Sequence, residues 1–270
     1  MVNRLRAALL LLLLPSSAAN AAVSIMGPLL MEYDVKPGGS YEGSIVVQNP
    51  GDAPQEVKVY QTDYSFSSDG RAEYGEPAGG LTRSNAKWIT LSPSRVTIPA
   101  GESVTVGFTV QVPDSASLTG TYWSLIMVEP VDATSPESAG SKPDSVNLSV
   151  RQVFRYAIQI ATTVGSTGSV RVQFDGFHLD QADGKRDLQI DVENTGERLC
   201  PATVWAEVYD SSGKYVGKFD AGQRRLYPGT SARFTADLTS IAAASYKALI
   251  LVDCGGDNVF GANANLVFTP

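Results

Sequence analysis

The chain has one histidine and two cysteines in 270 residues. That scarcity excludes most metal and nucleophile chemistry at once. His178, Cys200 and Cys254 are too few for a zinc site. A Ser–His–Asp triad would have to use His178, and no Gly-x-Ser-x-Gly elbow accompanies it. No Gly-rich phosphate loop leads from a strand into a helix. Asp180, Asp183, Asp187 and Asp191 gather around the turn Ala182-Asp183-Gly184-Lys185, but EF-hand spacing is missing, and a solvated hairpin is the better reading. Asp253, Asp257 and Asn258 flank Cys254-Gly255-Gly256 as turn residues. No catalytic residue, cofactor or metal is expected, so the chain reads as a non-enzyme.

Long apolar runs are lacking after the first residues. MVNRLRAALLLLLLPSSAANA reads as a secretory signal over residues 1–21, with basic Arg4 and Arg6, apolar Ala7–Leu14 and the cleavage site Ala19-Asn20-Ala21. The apolar run is short against the roughly 20 residues of a membrane span. With no cysteine near the cleavage site, a lipoprotein is not expected either. The mature chain is expected to be exported without membrane insertion, to the periplasm or alternatively the cell surface or medium. Losing the two arginines moves the net charge from −7 to −9. An acidic chain argues against nucleic acid as a partner. Cys200 and Cys254 fall at expected strand ends, and an even count in an exported protein predicts a disulfide.

Helical periodicity is missing as well, apart from a short turn expected in Leu238–Ser245. Period-two alternation takes its place. It predicts strands over Ser24–Val35, Tyr41–Asn49, Val57–Tyr64, Lys87–Leu91 and Val104–Val112, while Gly120–Glu129 reads as a strand apolar on both faces and therefore expected to be covered on both. Val146–Ile160, VNLSVRQVFRYAIQI, alternates over more than twice the typical strand length of about 5–6 residues. Later strands are predicted at Val170–Phe174, Leu188–Asn194, Thr203–Tyr209, Ala232–Leu238, Tyr246–Cys254 and Leu266–Phe268.

The two halves repeat one plan. IVVQNPG at Ile45–Gly51 matches IDVENTG at Ile190–Gly196. IPAGESVTVGFTV at Ile98–Val110 matches LYPGTSARFTADL at Leu226–Leu238. TYWSLIMV at Thr121–Val128 matches SYKALILV at Ser245–Val252. The first unit carries about 17 extra residues by this matching, placed in Glu73–Ala86. The expected fold is all-β, two immunoglobulin-like β-sandwich domains in tandem. Their expected bounds are 22–161 and 170–270, joined by a linker over 162–169.

The loop Pro130–Asp144 and the strand Val146–Ile160 resemble, in position and pattern, the PapD-like periplasmic pilus chaperones. That family pairs two immunoglobulin-like domains and donates apolar residues of the corresponding strand to an incomplete subunit. It also binds the subunit's C-terminal carboxylate with one basic residue on the first strand and another on the donor strand. Ser24–Val35 holds no basic residue, so only half of that pair has a counterpart, in Arg151 or Arg155. VKPGGSYEGSIVVQNPGDAPQEVKVYQTDY and AKWITLSPSRVTIPAGESVTVGFTVQVP also look like the N-terminal domain of WxL-interacting surface proteins. That resemblance implies binding to cell-wall polymer or surface partners. The membrane helix usual in that family has no counterpart before the final LVFTP.

These readings define a candidate partner-binding set. Val146, Leu148 and Val150 would offer an edge for strand addition to a protein subunit or surface protein. Phe154, Tyr156, Ile158 and Ile160 would be core. Arg151 and Arg155 would take a partner carboxylate at the interdomain cleft or remain ordinary surface arginines. Trp123, Leu125 and Met127 form an outer apolar face needing cover from Pro130–Asp144, from the second domain or from a partner. The competing class is an adhesion or structural module.

Overall fold

The computed structural model describes residues 23–131, 153–182 and 184–269. Its first part contains β1 (Ser24–Met26), β2 (Leu30–Val35), β3 (Ser40–Gln48), β4 (Gln55–Phe66) and β5 (Ala72–Gly75). A 3-10 turn at Ala86–Trp88 leads to β6 (Ile89–Ser92), β7 (Arg95–Ile98), β8 (Ser103–Gln111), β9 (Gly120–Pro130) and β10 (Tyr156–Val164). One sheet has the order β1-β3-β8-β6; the other runs β2-β10-β9-β4-β5, with β7 also on β4. Alternation does the packing. Val106, Phe108 and Val110 of β8 point inward and meet Val57, Val59, Ile126, Val128, Ile158 and Ile160 of the facing sheet. Each such side chain contributes about 1.5–3 kcal/mol on full burial.

The second part contains β11 (Val172–Ala182), β12 (Lys185–Asn194), β13 (Cys200–Asp210), β14 (Tyr215–Leu226), β15 (Ser231–Asp237), β16 (Ser245–Asp253) and β17 (Val259–Val267). Its sheets are β11-β12-β15 and β14-β13-β16-β17. Leu188, Ile190 and Val192 face Val204, Ala206, Val208, Ile250 and Val252 across the core. Cys200 and Cys254 are joined in a buried disulfide linking the start of β13 to the end of β16. The all-β expectation of two immunoglobulin-like sandwiches holds.

The repeat has a structural cause. Asn49 and Asn194 are both buried at matching turns. Asn49 Nδ2 donates to Ile98 O at 3.0 Å, and its Oδ1 accepts from Gly51 N at 3.0 Å. Asn194 Nδ2 donates to Leu226 O at 2.7 Å, and its Oδ1 accepts from Gly196 N at 2.9 Å. Each amide ties a turn to a neighbouring strand end and satisfies backbone groups that burial would otherwise strand.

Four strand expectations need correction. Ser24–Val35 is two strands in different sheets, because the chain crosses over at Gly27-Pro28. Gly27 has φ +124, a conformation open to glycine, and Pro28 has no N–H to extend a ladder. The long strand is also shorter than expected: Val153, Phe154 and Arg155 are not in a strand, and β10 begins at Tyr156. It continues to Val164, beyond Ile160. Phe154, expected in the core, is 39% exposed. β14 was not anticipated, because it is a sheet-edge strand with few buried positions and a weak apolar period. Most of β17 escaped for the same reason.

Candidate functional site

β10 is the last strand of the first sandwich, and its two neighbours do not cover it equally. β9 pairs with it antiparallel over its whole length, from Tyr156↔Val128 to Val164↔Gly120. β2 pairs with it parallel only from Gln159↔Leu30 onward. Gln159 N donates to Leu29 O at 2.8 Å, and Gly165 N donates to Val35 O at 2.9 Å. Backbone groups alternate sides along a strand. The N–H and C=O of Ala157 therefore point to the β2 side, where the chain has already turned away at Gly27-Pro28. Among the described residues no strand lies opposite them. Exposed Phe154, Val153 and Leu29 lie at this end of β10. An unpaired strand edge beside exposed apolar side chains is a template for another strand.

Arg155 stands just before the edge and holds its approach. Its guanidinium is 3.3 Å from Glu129 on β9, which also pairs with Lys58 at 3.2 Å. Tyr60 donates to Glu129 Oε2 at 2.8 Å. Burial opposes the charge on Glu129, but hydrogen bonds from Tyr60 and Lys58, with the charges of Arg155 and Lys58, outweigh it and hold the carboxyl below its ordinary range. Arg155 is four residues ahead of Gln159, the first residue of β10 on the interdomain cleft, or about 13 Å along an extended chain. Its placement as a cleft arginine is therefore corrected. Val146, Leu148, Val150 and Arg151 lie outside the described residues.

Trp123, Leu125 and Met127 do form the outer face of β9, but all three are buried. Trp123 is covered by the second sandwich: its ring stacks on Tyr227 with centroids 5.0 Å apart, beside Ala161, Phe66 and Leu199. Its Nε1 donates to Tyr64 O at 2.8 Å. Leu125 lies in register between Thr62 and Gln159, and Met127 between Tyr60 and Ala157. Of the three covers considered for this face, the second domain supplies the one over Trp123. The expectation of Trp123 as a partner-binding residue is corrected accordingly.

The sequence reading missed the residues that join the sandwiches. Arg83 Nη1 donates to Thr119 O at 2.6 Å, and its Nη2 is 3.4 Å from Glu197 Oε1. Thr119 Oγ1 donates to the same Glu197 oxygen at 2.8 Å. Arg225 on β14 donates to Glu32 on β2 at 2.8 Å. Between the sandwiches lies a cleft of about 520 Å³ bordered by Tyr64, Phe66, Gln159, Arg224, Arg225 and Tyr227. The dibasic Arg224-Arg225 was the available signal, but it lies in the strand that the apolar period did not reveal.

Solved pilus chaperones have structures similar to this chain. A class 5 fimbriae chaperone, CfaA, is 17% identical with a TM-score of 0.44, over 92% of this chain and 100% of that one. A chain from the chaperone–tip adhesin complex of CFA/I fimbriae is 16% identical with a TM-score of 0.47, over 93% and 100%. A chain from the CsuC–CsuE chaperone–tip subunit complex of Acinetobacter baumannii is 14% identical with a TM-score of 0.41, over 79% and 90%. No family model and no curated protein matches the sequence.

Proposed function

We propose that the chain is an exported, non-enzymatic, chaperone-like protein that binds a pilus or surface-protein subunit by strand addition along β10 and the residues leading into it, Val146–Val150. The single observation behind this reading is the bare β2 side of β10 at Ala157. A strand of the partner laid there would take the Ala157 N–H and C=O into its ladder, and side chains alternating along Val146–Val150 would fill its apolar gaps. The proposed location is the periplasm. Among the described residues no helix is long and apolar enough to cross a membrane.

Ala157→Pro tests the edge directly. It removes a donor on the bare side without removing any hydrogen bond to β9, and proline is tolerated where a strand's N–H faces solvent. The folded variant, and separately Leu148→Asp, should lose partners that wild type captures from periplasmic extract. Retention of every partner by both folded variants would sink the strand-addition reading. Retained binding to cell-wall polymer by both would favour an adhesion module instead.

A further inference from the structure

A strand at the end of a sheet leaves one row of main-chain N–H and C=O groups bare, and proteins blunt such edges with charge, proline, bulges or brevity. Among the described residues the outer strands follow that practice in every case but one. β1 and β6 have three and four residues. β2, β5, β7 and β15 are charged, through Glu32, Glu73, Arg95 and Arg233. β11 carries Asp175 and Asp180 and a bulge between Phe174 and Gly176. β14 carries Lys218, Asp220, Arg224 and Arg225 and two register shifts. β17 has none of these guards. It pairs with β16 alone, and its nine residues, Val259–Val267, contain no charge, no proline and no register shift.

The free side of β17 can be assigned residue by residue. Phe268 N donates to Ala244 O at 3.0 Å, and Cys254 N to Asn258 O at 2.9 Å. The even-numbered residues therefore turn their main chain to β16. Val259, Gly261, Asn263, Asn265 and Val267 turn theirs away, because successive residues of a strand alternate. All five are exposed. Beside them the surface is apolar: Leu251 of β16 leans over Gly261, where a Cβ would lie 3.3 Å from its Cδ2.

We propose that β17 is the contact between two copies of this chain, paired antiparallel about Asn263 so that two four-stranded sheets continue as one. The five outward residues read Val, Gly, Asn, Asn, Val, close to a palindrome. Pairing about Asn263 sets Val259 opposite Val267, Gly261 opposite Asn265, and Asn263 opposite its own symmetry mate. Val259 and Val267 are 52% and 59% exposed alone, and each would cover the other as a cross-strand pair. An isologous two-fold contact is the one that asks an edge to match itself, which favours a second copy over a foreign strand. The chain is acidic, so two copies can meet closely only along an uncharged strip, and β17 is such a strip. The pairing uses no residue of β10.

The test uses the full chain. In sedimentation over about 10–500 µM, the span expected of a small interface, the mean mass should climb toward twice that of one copy. Added salt should favour the climb by screening repulsion between acidic copies. Asn263→Lys sets two ammonium groups face to face at the axis and should weaken association roughly tenfold or more. A thiol at the axis gives the positive control. Cys200 and Cys254 are bonded to each other, so Asn263→Cys adds one free thiol, and paired Cα atoms about 5.5 Å apart are within disulfide reach. Mild oxidation should join Asn263→Cys into covalent dimers under conditions that leave Tyr215→Cys, an exposed site on β14, as single chains. Three results would each overturn the β17 contact: a chain monomeric throughout, a folded Asn263→Lys that associates as wild type does, or association lost in Ala157→Pro but kept in Asn263→Lys, which would place the contact on β10.

Discussion

Trp123 of the first sandwich stacks on Tyr227 of the second, with ring centroids 5.0 Å apart and planes 25° apart. Both side chains are fully buried. Offset aromatic stacks add to the area that they remove from water. Trp123→Ala should lower unfolding free energy by about 3–5 kcal/mol, measured in urea; a loss under about 1 kcal/mol would mean that the stack does not hold the sandwiches together. Tyr227→Phe should behave differently. The Tyr227 hydroxyl is buried with no hydrogen-bond partner, and burial pushes its ionisation far up, with Glu32 adding to the shift. Deleting it should be neutral or stabilising by about 1 kcal/mol.

Gly120 is a second point of contact that tolerates no side chain. Its φ is +69, and a Cβ there would lie 1.9 Å from the Glu197 carbonyl oxygen. Thr121 N donates to that same oxygen at 2.8 Å. Gly120→Ala should force the seam apart at a cost of about 2–4 kcal/mol. Thermal unfolding with limited proteolysis across residues 162–169 would register it. A variant as stable and as resistant as wild type would refute the close approach.

Acid should loosen the same seam. Hydrogen bonds from Thr119 and from Ser169 N hold the Glu197 carboxyl below its ordinary range, with Arg83 adding charge and a further hydrogen bond. A depressed carboxyl contributes stability above its unfolded pKa and loses it as pH falls through the folded one. Glu197→Gln should therefore be less stable than wild type at neutral pH. The difference should begin to shrink below about pH 4.3 and vanish at lower pH. Parallel stability curves between pH 7 and 2.5 would contradict this.

Asn49 and Asn194 should prove equally costly to truncate. Each buried amide donates to a strand-end carbonyl and accepts a turn N–H. Alanine would strand those groups without water. Asn49→Ala and Asn194→Ala should each lose about 2–3 kcal/mol in urea unfolding, with Asp replacements still costly because an Asp carboxylate cannot donate.

The alternation of β8, β12 and β16 was readable because each has one face in a core, and burial imposes its period on composition; β9 was readable as an apolar run because both of its faces are buried. The Asn-x-Gly repeats were readable because only a few side chains can tie such turns. β14 and β17 were not, since edge strands facing water are free of that selection. Arg155 was legible as a residue of note but not its partner, because Glu129 comes from a neighbouring strand whose register no local pattern states.

The chain's own order of residues determined the all-β character, the two-fold internal repeat and the cysteines available to pair. Three things were left to the tertiary structure. Trp123, Leu125 and Met127 spell an apolar outer face in either case; only the arrival of Tyr227 from a hundred residues away makes Trp123 a seam residue rather than a docking surface. Alternation carries Val146–Ile160 as one run, yet the bare edge begins where β2 departs at Gly27-Pro28, a fact of pairing and not of propensity. Asp63 is buried, with one carboxylate oxygen unpartnered, at the point where β4 parts from β9. Periodicity reports which face of a strand is covered. What covers it, and where the cover stops, depends on contacts between residues far apart in the chain.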